Sequence, residues 1–118
     1  MEFVKFLLPV IEADKWVSPK TGEVHPFGWT DKAIYSLFRS RHNYFMKNFG
    51  RHDDKQSEIS VILNISREKV NRFMSLLTKE GVLESTKKGN FQNNYIKLND
   101  FCVINSRGES VKVLGYDD

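Results

Sequence analysis

Between Ile59 and Phe73 the apolar residues fall at helical intervals on either side of a short break. Ile59 and Leu63 are four apart, Val70 and Phe73 are three apart, and Ile65 lies between the two sets. Spacings of three and four stack side chains on one face of an α-helix, so the pattern predicts two short helices joined through that face. The residues around the break suit a tight turn. Ser60 is small where the helices must approach, and Asn64 stands where the turn needs a positive φ. Glycine is the usual residue at such a position, and Asn is among the few others that tolerate it. Ser66 follows as the expected N-cap of the second helix, and Glu68 suits its positive end.

The same periodicity continues to either side. Ile34, Phe38, Phe45 and Phe49, with Leu37 and Tyr44 beside them, predict a long helix whose aromatic stripe is core. Thr30 is its expected cap, Asp31 favours its N-terminus, and Gly50 ends it. Arg39, Arg41, His42 and Lys47 interleave on the other faces, either solvated or within reach of a phosphate. After the second short helix, Lys79-Glu80-Gly81 reads as a stop with Gly at C′. Val82–Thr86 and Asn94–Leu98 then read as strands, with a basic hairpin tip from Lys87 to Gln92.

Both ends of the chain look extended. Phe3–Leu8 suits a strand, with a short helix as the alternative. Trp16-Val17 and Glu23-Val24-His25 flank a turn sequence, Ser18–Gly22, and form a predicted hairpin. Phe101–Ile104 and Ser110–Leu114 flank Asn105–Glu109 and form another. This last hairpin is expected either to join the N-terminal strands in a small added sheet or to supply an oligomer contact. The fold class is therefore α+β. Helix, helix, helix and hairpin is the order of a winged helix-turn-helix domain, placed at 30–98. An extension at 1–29 and a hairpin and tail at 99–118 are expected to pack on the same domain.

The outward residues of the second short helix give this order a function. Arginine can bond both acceptors of a guanine edge, glutamate can accept from cytosine, and asparagine can pair with adenine. Arg67, Glu68, Asn71 and Arg72 occupy the first two turns, the part that enters the major groove in helix-turn-helix proteins. They are the candidate base readers. Ser66, Lys69, Lys87, Lys88 and Asn90 are the candidate phosphate contacts. The competing reading is an ordinary helical hairpin with a solvated charged face. A helix that docks on a polymerase or another protein is a second alternative, and it would be expected to show an apolar patch in place of free arginines.

Ile-Ser-Arg-Glu-Lys-Val-Asn-Arg-Phe, residues 65–73, resembles the recognition-helix signature of the catabolite-activator superfamily, Ser-Arg-Glu-Thr-Val-x-Arg. The resemblance implies base reading by Arg67, Glu68 and Arg72. Lys69 stands where the family has Thr, so that contact is not carried over. The superfamily's cyclic-nucleotide domain has no counterpart, and no such effector is expected. The whole chain resembles small winged-helix proteins of phages and plasmids, which implies transcriptional or replication control. Duplex DNA is then the expected partner, with a homodimer and a protein partner in transcription or replication as further expectations.

Composition narrows the alternatives. The chain has 118 residues, enough for one domain, and a net charge of +3. Residues 32–96 hold twelve Lys/Arg against six Asp/Glu, whereas the two flanks together hold six against nine. The basic excess thus coincides with the proposed DNA-binding part, as an electrostatic footprint should. Cys102 is the sole cysteine, so no internal disulfide forms; its apolar neighbours suggest burial, and a cytoplasmic, reducing location is expected. Phe3–Ile11 is broken by Lys5 and Pro9 and lacks the marks of a signal peptide, and no membrane contact is expected. His25, His42 and His52 show no zinc-ligand spacing. Asp53-Asp54 reads as charge ahead of a helix rather than a catalytic pair. No Walker loop or nucleophile elbow is present. Neither a cofactor, a metal nor a catalytic residue is expected, and the chain is not read as an enzyme.

Overall fold

Alternating burial along Phe101–Asn105, with the odd positions inward, marks the strand around which the two ends of the chain assemble. The computed structural model describes residues 4–54, 56–88 and 92–116; at 53, 54, 56, 87, 88 and 92–94 it describes the backbone alone. The described residues form an α+β structure of four helices and two antiparallel sheets. In chain order these are α1 (Leu8–Glu12), β1 (Ala13–Val17), β2 (Val24–Pro26), α2 (Trp29–Phe49), β3 (His52–Asp54), α3 (Gln56–Leu63), α4 (Arg67–Lys79), β4 (Leu83–Lys88), β5 (Gln92–Leu98), β6 (Phe101–Asn105) and β7 (Ser110–Val113).

The first sheet has the order β2-β1-β6-β7. Both terminal hairpins form where their turn residues predict them. Trp16 faces His25 across the first and Phe101 faces Val113 across the second. Pairing of Trp16 with Val103 joins them, so the added sheet of the two alternatives is the one built. Phe3–Leu8 is a correction. Residues 4–7 form neither helix nor strand, and a one-turn helix begins at Leu8. Pro9 explains it, since its missing N–H is harmless in a helix's first turn but breaks a strand ladder.

The second sheet has the order β3-β5-β4. Strand β3 is a further correction: Asp53 and Asp54 pair with Asn94 and Asn93 instead of merely preceding a helix. The sheets meet where Gly115 crosses the end of β5. A Cβ at Gly115 would run into the Leu98 carbonyl, so this crossing requires glycine. The Gly115 N–H donates to Asp100 Oδ1 at 2.9 Å.

One hydrophobic core spans both sheets and includes Val10, Trp16, Phe38, Ile59, Met74 and Phe101. Helix α2 runs through it. Its N-cap is Gly28, two residues before the expected Thr30, and no side chain caps it; Asp31 meets the positive end in the first turn. Gly50 ends it in the left-handed conformation. Ile34, Leu37 and Phe38 are buried as predicted, but Phe49 is 63% exposed. Arg39 and His42 are buried, neither solvated nor open to a phosphate. Cys102 is half-buried rather than buried. No helix among the described residues is long and apolar enough to cross a membrane.

Candidate nucleic-acid interface

The α3–α4 turn places the candidate residues, and hydrogen bonds from both helices tie it together. Asn64 has φ of 53°, the one positive-φ non-glycine residue among those described. Its N–H donates to the Val61 carbonyl at 3.3 Å, and the Ile65 N–H donates to the Ser60 carbonyl at 3.1 Å. The Ser60 hydroxyl donates to the Ile65 carbonyl at 2.6 Å, tying the end of α3 to the start of α4. Ser66 is the N-cap of α4, and its hydroxyl accepts from the Lys69 N–H at 3.3 Å.

Helix α4 is then strictly two-faced. Val70, Phe73, Met74 and Leu77 are its buried residues, at spacings of three and four. Ser66, Arg67, Glu68, Lys69, Asn71 and Arg72 are all exposed. At about 100° per residue, Glu68, Arg72, Ser75 and Lys79 form the stripe farthest from the core. Arg67 and Asn71 lie to one side of it and Lys69 to the other. No large apolar residue of α4 is exposed. Lys79 shares this stripe but was not among the sequence candidates, because the motif stops at Arg72; its spacing of seven from Arg72 is the signal that finds it.

Beside the stripe is an open cleft of about 440 Å³, floored by Phe73 and Leu76 and edged by Asp31, Lys69, Arg72 and Lys79. Burial pushes the Asp31 carboxyl above its usual range, and the charge of Lys69 opposes that shift. Lys69 therefore faces an acidic neighbour as well as solvent. Two cations of the basic 32–96 segment do not belong to any surface footprint. Lys32 donates to the Ile11 carbonyl at 2.9 Å, and Arg39 Nε donates to the Leu114 carbonyl at 3.0 Å.

The end of α4 sets the direction of the hairpin that follows. The Val82 N–H donates to the Leu77 carbonyl at 2.9 Å and the Gly81 N–H to the Thr78 carbonyl at 3.3 Å, with Gly81 at φ of 84°. These two bonds close the helix in a Schellman motif and turn the chain into β4. Lys87 and Lys88 end that strand, opposite Asn93 and Gln92. Their side chains, and Asn90 altogether, lie outside the described residues. Compared with known proteins, the chain matches no family model and no curated protein.

Proposed function

We propose that this chain is a winged helix-turn-helix protein that binds duplex DNA. The observation that carries the reading is the face of α4 opposite its buried stripe. Glu68 and Arg72 are exposed there, with Arg67 and Asn71 exposed beside them, on a helix whose start is set by a left-handed Asn and a serine cap. A helix held this firmly can present its first two turns to a major groove, where Arg, Glu and Asn have complementary base edges. In this reading β4 and β5 are the wing, Lys87, Lys88 and Asn90 approach flanking phosphates, and Ser66 and Lys69 hold the backbone beside the helix. Lys79 extends the same phosphate track. The role is control of transcription or replication, of the kind encoded by phages and plasmids.

Selection of bound sequences from a random duplex pool tests this. One enriched motif is expected, and Arg67→Ala with Arg72→Ala should erase the enrichment. Retention that is equal for every sequence would reduce the protein to a phosphate binder, and no retention at low salt would remove the function.

A second reading is docking on a protein partner or a second copy. It is favoured by Val61 and Ile62, exposed at 78% and 50% on α3. That apolar pair is on a different helix from the arginines. Val61→Asp should therefore change the sedimentation behaviour if docking is the function, and leave DNA selection intact if it is not.

A further inference from the structure

The turn of the first hairpin closes on the end of α4, and the contact brings together side chains of unusual chemistry. The Ser18 hydroxyl donates to the Glu80 carbonyl at 3.1 Å, and the Thr21 hydroxyl donates to Glu80 Oε2 at 3.1 Å. Beside them His25 stacks on Trp16, with ring centroids 4.5 Å apart. Its Nε2 is buried and has no hydrogen-bond partner. That nitrogen lies 3.8 Å from Glu80 Oε2 and 3.9 Å from Glu23 Oε2, too far for hydrogen bonds to either. One ligand atom each from Glu23, His25 and Glu80 falls within 4.8 Å of the others.

We propose that Glu23, His25 and Glu80 form a site for a divalent first-row cation of the zinc or cobalt type, which fastens the first hairpin to the end of α4. A nitrogen and two carboxylate oxygens are a borderline donor set that suits such ions. Ligands at zinc distances in a tetrahedral set are roughly 3.4 Å apart; the two edges at His25 close by about half an ångström, and the Glu23–Glu80 edge starts from no more than 4.8 Å. Glu23 supplies the movement, since its side chain is 62% exposed, whereas that of Glu80 is 4% exposed and held by Thr21. The spacing Glu23-x-His25 carries no metal signature by itself; the third ligand arrives from 55 residues downstream through the fold. The site is independent of nucleic acid.

The full chain, treated with chelator and dialysed, is titrated with Zn²⁺ and separately with Co²⁺. One equivalent of Zn²⁺ should bind and raise the melting temperature, and Co²⁺ should quench Trp16 through the stacked imidazole. Glu23→Gln changes an exposed side chain and should leave folding intact. It should weaken binding by roughly tenfold or more, since even partners outside a ligand set cost that much. His25→Gln should abolish the thermal shift and the quenching. Absence of stoichiometric uptake by the parent would overturn the site, and so would uptake unchanged in Glu23→Gln.

Discussion

Helices α2 and α4 carry five charged residues each, yet only α4 exposes all of them. Helix α4 has one neighbour face. Its apolar residues at 70, 73, 74 and 77 fill that face, Leu76 packs at its edge, and every charged residue is exposed. Helix α2 is surrounded from Lys32 to His42. Lys32 reaches the Ile11 carbonyl, Tyr35 packs edge-on against Phe101 of β6, Arg39 reaches Leu114 beyond β7, and His42 meets His52 of β3. A helix held from several sides must bury some polar residues, and each needs a partner there. Charge on a helix is therefore evidence for a binding face only when the opposite stripe accounts for all the burial.

The sharpest way to break this comparison is to remove one arginine from each helix. Arg39→Ala should destabilise the fold on the order of 2–4 kcal/mol, because it empties a buried site and removes the donor to the Leu114 carbonyl. Arg72→Ala should change stability by less than about 0.5 kcal/mol, the usual range for an exposed site. On the preferred DNA site it should cost about 1–3 kcal/mol of binding. Chemical denaturation and titration of labelled duplex measure the two quantities. Equal stability losses would erase the distinction between the helices.

The buried stretch of α2 should also be sensitive to acid where it reaches His42. His42 Nδ1 lies 3.0 Å from His52 Nδ1, among Phe38, Phe45 and Tyr95. Burial, and then the neighbouring His52, pushes the His42 imidazole down to about 4. In the unfolded chain it titrates near its ordinary value of about 6.5. The unfolded state thus binds the extra proton between those values. The stability that depends on a neutral His42 is complete above about pH 6.5 and is lost as pH falls toward 4, by about 2–3 kcal/mol at the lower end. Denaturation at a series of pH values should show this slope, and NMR should find the ring neutral at pH 5. A His42 ring that protonates near 6.5 in the folded protein would remove the effect.

What could be read from the chain alone follows the same division. The α3–α4 turn, the Ser66 cap, the Gly81 stop and both terminal hairpins are local devices, set by a few adjacent residues. Each stands where its residues place it. The exposure of Arg67, Glu68, Asn71 and Arg72 follows from the buried stripe behind them. Strand β3 was not legible, because three residues acquire strand geometry only by pairing with β5, some forty positions away. Burial of Arg39 and His42 and exposure of Phe49 depend on what surrounds each part of α2, which periodicity does not encode. The cluster of Glu23, His25 and Glu80 is likewise a product of tertiary contact.

The smallest change that tests the α4 side of the comparison is at Asn64. Its φ of 53° places it in the left-handed region, where a side chain with one branch at Cβ is strongly disfavoured. Asn64→Gly should keep folding and DNA binding, because glycine takes this conformation without a Cβ clash. Asn64→Val should lose about 1–2 kcal/mol, within the usual cost of such backbone strain. The side chain is exposed, so neither variant changes the core, and the difference between them isolates the backbone. Because the Ile65 N–H and the Ser60 hydroxyl bond across this turn, strain there shifts the start of α4 and with it Arg67 and Glu68. Asn64→Val should therefore weaken sequence-specific binding more than binding to random duplex. Melting curves of the two variants, with their affinities for both duplexes, decide the matter. If Asn64→Val matches Asn64→Gly in both, the turn does not set the register of α4, and the exposed arginines owe their place to the buried stripe alone.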